Sequence, residues 1–559
     1  MTSRHCGRER DNSNEHLTSH GNLLLLPVGQ ARQSTCHVSA KEPSRLRTLL
    51  AASSSDDDDQ DDWKHNNASG AQLEPTCGAE LAYASKTSRN VILAPQTNMP
   101  SRRHFLASLG TAFVARRSLF AESAPTVARP RPSAPQVAWQ RDELAMFLHF
   151  GVNTFTDREW GDGREEPAIF APNELDARQW ARTAREAGFR VLILTAKHHD
   201  GFCLWPTKTT THSVASSPWR GGQGDVVREV VDACRAEGLG TGLYLSPWDR
   251  HEPSYGDSAR YNDLYCAQLT ELLTNYGPLR ELWFDGANGE GPNGRHQVYD
   301  WARIWGLVRR HQPEAVMFSD AGPDVRWIGN ERGLAADTNW STVDPKVVPY
   351  PGASGDAVMD MLQHGDPEGS VWRPGETDVS IRPGWFYHAA EDEGVKSSDA
   401  LVDLYFTSVG RNSKLLLNVP PTRAGKLHER DVANLIAMRR RLTSLFAEDL
   451  ARGRSQGWRG TGPRTAFLDI DLGQTRMISI ADLREEVTQG QAVARYSVLG
   501  SAGGGWQPLS RGTTIGYRKL DRFTPTAVRR VRVEIVDAVA PPGKVTVSLY
   551  AGDGQRPSS

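Results

Sequence analysis

From residue 140 onward, short apolar runs alternate with longer stretches whose apolar positions recur at three- and four-residue spacing. Ala145-Met146-Phe147-Leu148-His149-Phe150 is the first run, closed by Gly151. The spacing from about Asp176 to Ala187 predicts a helix that stops at Gly188, because glycine tolerates the left-handed backbone that ends helices. Arg190-Val191-Leu192-Ile193-Leu194 follows, nearly continuous in apolar residues, as expected of a strand buried on both faces. Asp225 is placed to cap a helix over Val226–Ala236 that stops at Gly238, and Thr241-Gly242-Leu243-Tyr244-Leu245 is the next strand. A helix over about 259–276 leads to Glu281-Leu282-Trp283-Phe284, and one over about 298–311 leads to Ala315-Val316-Met317-Phe318. Lys414-Leu415-Leu416-Leu417-Asn418-Val419 reads as a closing strand. Between Asp320 and Leu415 the pattern is irregular and places neither strand six nor strand seven.

Strands alternating with helices imply a parallel sheet with right-handed crossovers. A doubly wound sheet and a closed eight-stranded barrel both satisfy that pattern, but no GxGxxG follows the first strand, which argues against a dinucleotide fold. The polar residues decide between them. His149 ends the first strand, His198-His199-Asp200 the second, Trp248-Asp249 the third and Asp285 the fourth. A (β/α)8 barrel collects its site from strand C-terminal ends in this way. The reading is therefore α/β, a (β/α)8 TIM-like barrel over 140–450, ending in a helix at about 429–446. Beyond it, Phe467–Leu472, Arg530–Ile535 and Val545–Tyr550 alternate with period two between Gly- and Pro-containing turns. That predicts an all-β C-terminal sandwich over 455–552.

The front of the chain has a different texture. Residues 1–98 lack periodicity and contain Ser53-Ser54-Ser55 followed by Asp56 to Asp59. Such a stretch buries too little apolar surface to offset its ordering entropy, so it reads as a disordered extension. Residues 99–124 have the order of a secretory signal: Arg102-Arg103, then apolar Phe105 to Ala115, then small residues around Ala121-Glu122-Ser123-Ala124. Ser101-Arg102-Arg103-His104-Phe105-Leu106 resembles a twin-arginine signal, although Arg116 and Arg117 depart from the usual order. On this reading Met99 is the true start, the product is periplasmic or extracellular, and Pro-rich 125–139 is a linker.

Composition narrows the function. Lys plus Arg is 65 against 67 Asp plus Glu, a net charge of -2, which lacks the concentrated positive surface that nucleic acid binding needs. No apolar run approaches the roughly 18 residues of a membrane span. Hydrophobics at 38% fall below the usual 45–50% or so, consistent with a non-globular front. The six cysteines, at 6, 36, 77, 203, 234 and 266, have no CxxC spacing and read as free thiols.

Two carboxylates stand out. Asp285 ends the aromatic strand Trp283-Phe284 beside Gly286, a setting that suits a nucleophile in a sugar pocket. Glu331, in Trp327-Ile328-Gly329-Asn330-Glu331 after the fifth strand, is placed to act as a general acid. Position alone leaves a turn-capping Asp and an ordinary loop Glu as alternatives. Adjacent His198 and His199 are poor metal co-ligands, because strand neighbours face opposite ways, and no HxH or HExxH occurs. No metal and no cofactor are expected. Trp160, Trp205, Trp248, Trp283, Trp327, Trp372 and Trp385 are many for one barrel; some fill the core, and others suit stacking on a sugar ring.

Leu148-His149-Phe150-Gly151-Val152-Asn153-Thr154-Phe155, Glu159-Trp160-Gly161, Thr195-Ala196-Lys197-His198-His199-Asp200-Gly201-Phe202, Trp283-Phe284-Asp285-Gly286 and Leu415-Leu416-Leu417-Asn418-Val419-Pro420-Pro421 together resemble the α-L-fucosidases of glycoside hydrolase family 29. The motifs occur in that family's order and cover about 140–421. The resemblance implies a retaining exo-α-L-fucosidase acting on fucosylated oligosaccharides or glycoconjugates. It implies Asp285 as nucleophile and His149, His198 and His199 as sugar-binding residues. Trp283 matches the aromatic before the nucleophile, and Glu159 and Arg382-Pro383-Gly384-Trp385-Phe386-Tyr387 are implied to line the pocket. The Trp-Ile-Gly-Asn-Glu segment is similar to that of the subgroup preferring α-1,3/1,4 linkages, which maps the acid/base to Glu331. The alternatives are a related glycosidase of other sugar preference and a non-catalytic carbohydrate-binding protein. Oligomeric state is not legible.

Overall fold

The computed structural model describes residues 129–552. The expectations for 1–98 and 99–124, and Cys6, Cys36 and Cys77, lie outside the described residues. The linker reading stops short of 139, because Ala134–Asp142 is a helix. Ser133 accepts from the Gln136 amide while the Gln136 side chain returns to the Ser133 amide, a reciprocal cap that satisfies two helix-end donors. Trp139 on this helix is fully buried among Ala145, Val191, Val316 and Leu416 and plugs the N-terminal end of the barrel.

Eight strands form that barrel. They are β1 (Leu144–Leu148), β2 (Val191–Lys197), β3 (Gly240–Leu245), β4 (Glu281–Trp283), β5 (Val316–Phe318), β6 (Arg326–Trp327), β9 (Gly375–Ser380) and β10 (Ser413–Asn418). Two short strands, β7 (Thr342–Val343) and β8 (Val371–Trp372), pair apart from it. The barrel order is β5-β4-β3-β2-β1-β10-β9-β6, all parallel, and a bridge from Phe318 to Val325 nearly closes the ring. Helices Ala177–Ala187 and Val226–Glu237 are capped by Asp176 and by Asp225, the second as predicted, and end on left-handed Gly188 and Gly238. The helix expected from 298 begins at Trp301, because Asp300 takes the cap position. Strands six and seven, which the pattern left unplaced, are β6 and β9. Glu331 therefore follows the sixth strand, not the fifth.

Inward-facing residues alternate along each strand and stack in layers. Register sets Lys414 beside Glu376, Leu416 beside Asp378 and Asn418 beside Ser380. It also sets Tyr244 beside Trp283 and Trp283 beside Phe318. The lowest layer is charged: Lys414 Nζ lies 2.7 Å from Glu281 Oε2 and 3.6 Å from Glu376 Oε2, with all three side chains at 0% exposure. The Lys414 ammonium also sits 4.7 Å from the Trp139 ring centroid. Burial and the neighbouring Glu281 hold the Glu376 carboxyl well above the usual range. Burial thus favours the protonated form of Glu376 beside the Lys414–Glu281 contact.

The C-terminal region is one antiparallel sheet, not two separately bonded ones. Its strands are β11 (Ser455–Gly462), β12 (Thr465–Glu485), β13 (Val493–Ser501), β14 (Gln507–Gly512), β15 (Lys519–Ala538) and β16 (Val545–Tyr550). The long β12 and β15 break register between Asp471 and Arg476 and between Ile478 and Ile480. Bulges of this kind bend strands. Residues from both halves, including Leu468, Ile470, Ile478, Leu483, Val531 and Leu549, close on one apolar core. Glu143, just before β1, joins the barrel to this sheet through Arg484, Arg518 and Tyr405. Cys203, Cys234 and Cys266 are buried free thiols, as read from the sequence. No helix among the described residues is long and apolar enough to cross a membrane.

Replacing Lys414 with Met strands Glu281 and Glu376 as an uncompensated buried pair. Loss of one partner from a buried ion pair costs about 3–5 kcal/mol. Thermal unfolding of Lys414→Met is expected to show a clearly lowered midpoint; an unchanged midpoint would mean that the glutamates are stable by proton sharing alone.

Candidate active site

The C-terminal ends of β1 to β4, β9 and β10 converge on Asp285, two residues past β4 and on the same inward face as Glu281 and Trp283. Asp285 Oδ1 accepts from the Ala287 amide at 2.7 Å, and Oδ2 accepts from the Tyr244 hydroxyl at 3.1 Å. His199 Nε2 lies 3.9 Å from Oδ2, and the Asp285 side chain remains 26% exposed. A Cβ at Gly286 would collide with the Asp320 carboxylate. Glycine there lets a second acid approach, and Asp320 Oδ2 accepts from the Gly352 amide at 2.9 Å. Burial, with Asp285 adding to it, pushes the Asp320 carboxyl up to about 6.

The histidines are neutral acceptors. His149 Nδ1 lies 2.9 Å from Asn418 Oδ1. Asn418 Nδ2 donates to Ser380 Oγ and to the Trp385 carbonyl, so its Oδ1 is the acceptor and His149 Nδ1 carries the hydrogen. His199 Nδ1 lies 2.7 Å from Ser246 Oγ, whose own hydrogen goes to the Trp248 carbonyl. His199 Nδ1 is therefore also the donor, which leaves Nε2 of both rings as lone pairs able to accept a hydroxyl hydrogen. Burial lowers both rings to about 4 and lowers His198, whose Nδ1 has no protein partner, well below its ordinary value.

Around these groups stand the aromatics. Trp160 is 46% exposed and meets His199 and Trp248 edge-on at 6.2 and 5.9 Å, so it forms a rim. The Trp385 ring centroid is 5.1 Å from that of His149. Trp327 donates from Nε1 to Asp378 Oδ1 at 2.8 Å. Trp283 is 7% exposed, stacks on Phe318 at 4.1 Å and donates to Glu376 at 3.0 Å. It therefore belongs to the barrel interior beneath the pocket rather than to its wall. Glu159 accepts from the amides of Trp385 (2.8 Å) and Phe386 (3.0 Å), and its Oε1 is 2.7 Å from His388 Nε2. Its carboxylate holds the 382–388 segment in place. Only glycine at 384 permits this approach, since a Cβ there would meet Glu159 Oε1.

Glu331 is exposed on the loop after β6. Tyr244, Asp320, Asp378 and Asn418 are site residues that the sequence reading passed over. Tyr244 stands one residue before the end of β3, and that position near a strand end was its signal. Asp378 sits in a strand too polar to recognise. Asp249, by contrast, pairs with buried Lys197 at 2.9 Å and braces the barrel. Among the described residues no group of three or more His, Cys, Asp or Glu is arranged to hold a metal ion.

The family model described as alpha-L-fucosidase matches residues 137–443. Alpha-L-fucosidase 1 of Arabidopsis thaliana is 42% identical over 462 residues, 78% of this chain and 90% of that protein. A crystal structure of a glycoside hydrolase 29 family member from an unknown rumen bacterium is 39% identical, with a TM-score of 0.71, covering 77% of this chain and 79% of that one. A Ruminococcus gnavus fucosidase of the same family, solved with fucose, is 31% identical with a TM-score of 0.68, covering 77% and 97%.

The Glu159–His388 contact has a pH signature. Glu159 chiefly, with Asp157, raises His388 to about 9, and Glu391 adds to it. An unfolded histidine titrates near 6.5, so the stabilisation is complete below about 6.5 and is lost as pH rises through about 9. Thermal midpoints should fall across that interval, and less so in His388→Gln. Equal slopes in both proteins would separate His388 from the effect.

Proposed function

The chain belongs to the α-L-fucosidase family and is a glycoside hydrolase, and on that premise we propose a retaining exo-enzyme that removes terminal α-1,3- or α-1,4-linked L-fucose from fucosylated glycans. Asp285 is the nucleophile and Glu331 the acid–base group. The observation that carries the reading is the setting of Asp285: held by the Ala287 amide and the Tyr244 hydroxyl, and facing the neutral His199.

In the first step an Asp285 oxygen bonds to the anomeric carbon as the glycosidic C–O bond breaks, and the departing oxygen takes the Glu331 proton. In the second, Glu331 takes a proton from water, whose oxygen bonds to the anomeric carbon and frees Asp285. Two inversions give net retention, as in glycosidases whose carboxyls lie about 5–5.5 Å apart. Neutral His149 and His199 suit this chemistry because their Nε2 lone pairs accept sugar hydroxyls without adding positive charge beside a developing oxocarbenium. Trp160 and Trp385 flank the same pocket.

Export by the twin-arginine route is part of the proposal, resting on residues 99–124. Mass spectrometry of the secreted native protein should find a mature start near 125.

Asp285→Gly is expected to abolish hydrolysis of an aryl α-L-fucoside, a loss of several orders of magnitude, in a protein that still unfolds cooperatively. Turnover near that of the parent would remove Asp285 from the role. Proton NMR of the first-formed fucose reads the stereochemistry, with the α-anomer expected.

A further inference from the structure

Among the described residues two aromatic side chains are exposed, Trp160 at 46% and Tyr350 at 57%. A single exposed ring needs no explanation, but both of these stand over the ends of neighbouring barrel strands. Trp160 meets His199 and Trp248, which follow β2 and β3. Tyr350 is placed by its backbone. Tyr350-Pro351-Gly352-Ala353 is a tight turn in which the Ala353 amide donates to the Tyr350 carbonyl at 3.2 Å and Gly352 has a φ of 84°. Proline followed by glycine is the type II pattern, since proline presets the first central φ and the second must be positive.

This turn is pressed against the residue that follows the nucleophile. The Gly352 amide donates to Asp320 Oδ2 at 2.9 Å, and the same oxygen lies against Gly286. A Cβ on Gly352 would collide with the Gly286 carbonyl oxygen, and one on Gly286 with Asp320 Oδ2. Only a pair of glycines permits so close an approach. Asp320, two residues past β5, thus latches the turn to the backbone beside Asp285. A turn keeps its first and last Cα within about 7 Å, so Tyr350 cannot stand far from that contact. The flanks of the turn are fixed as well. Val348 and Ala353 pack with Ala321 in the apolar cluster that Trp327 joins, and Pro351 is buried. Trp327 roots the loop that carries Glu331. The exposed Tyr350 therefore stands between the end of β4 and the root of that loop, the side on which the proposed mechanism protonates the departing oxygen. Strands β5, β4, β3 and β2 are consecutive neighbours, so Tyr350 and Trp160 flank Asp285 from opposite sides.

We propose that Tyr350 is a specificity-determining residue: its ring stacks on the apolar C–H face of the hexopyranose from which fucose is released. This rests on the fucosidase reading and adds to it the recognition of the leaving sugar. A tyrosine suits the task, because its flat body covers apolar sugar surface while its hydroxyl stays in water. It has two side-chain torsions to order, so contact area is gained at a low entropic cost.

The test compares kcat/KM of the parent, Tyr350→Ala and Tyr350→Phe on α-L-fucosyl fluoride and on α-1,3- and α-1,4-fucosylated trisaccharides. Fluoride leaves without an aglycone ring, so its release reports the fucose pocket and the fold of each variant alone. Tyr350→Ala is expected to lose about tenfold or more on the trisaccharide that the parent prefers. On the fluoride it should stay within about twofold of the parent, as an exposed substitution does. Tyr350→Phe keeps the ring and should follow the parent on both substrates. Equal losses of Tyr350→Ala on fluoride and trisaccharide, or no loss on either, overturn the proposal. So does a Tyr350→Phe enzyme as weak as Tyr350→Ala on the trisaccharide, since the hydroxyl and not the ring would then make the contact. A parent that cleaves the fluoride but neither trisaccharide overturns the proposal and leaves the fucosidase reading standing. A folded parent that cleaves none of the three ends the fucosidase reading itself.

Discussion

The charged layer at the base of the barrel is the constraint on which the site rests. A lysine and two glutamates with no exposure persist only if they meet one another in good geometry, since any unpaired member costs several kcal/mol. Glu281, Glu376 and Lys414 come from β4, β9 and β10, so their contact fixes the relative height of three strands. Strand periodicity then does the rest. Two residues up from Glu281 is Trp283, whose indole bonds Glu376, and two further is Asp285. Two up from Glu376 is Asp378, and four up from Lys414 is Asn418, which sets the tautomer of His149. A slip of one residue in any of these strands would turn its site residue outward.

The same layer explains what the sequence hid. β1 to β5 and β10 were legible because most of their residues are apolar, despite Glu281 and Lys414 at the lower ends of β4 and β10. β9 reads Gly-Glu-Thr-Asp-Val-Ser, and its inward positions are acidic because they serve the lysine below and the loop above. An apolar pattern cannot reveal a strand whose buried face is charged. β6 has two residues, too few for any period. Losing both strands misplaced Glu331 by one strand and concealed Asp378. The helix and its caps before β1 were missed for a different reason: prolines suggested a linker, although Pro135 stands in the first turn, where proline is tolerated.

Residue identity also said less about role than about place. Glu159, Trp160 and Trp283 were all assigned to the pocket, and the structure gives each a different task. Trp160 stands at the rim. Trp283 supports the strand of Asp285 from below. Glu159 accepts two backbone amides and so holds Trp385 against His149. A motif marks the neighbourhood of a site, but only the hydrogen-bond partners separate a side chain that meets ligand from one that holds another in place.

The two acids of the proposed mechanism differ in their supports, and the difference follows from what each must do. The nucleophile approaches one carbon of one sugar, so it gains from a rigid mount: Asp285 is fixed by an amide and a phenol at the end of a barrel strand. The acid must reach an oxygen shared with an aglycone that varies from glycan to glycan. Glu331 stands at the exposed tip of a loop anchored at its base by Trp327, Ile328 and Gly333 against β9. An anchored base with an exposed tip limits where the proton is delivered without fixing what lies beyond it. The segment 338–372, which contributes β7, β8 and a helix at Asp356–His364, packs Val358 and Leu362 beside Trp327 at the root of that loop.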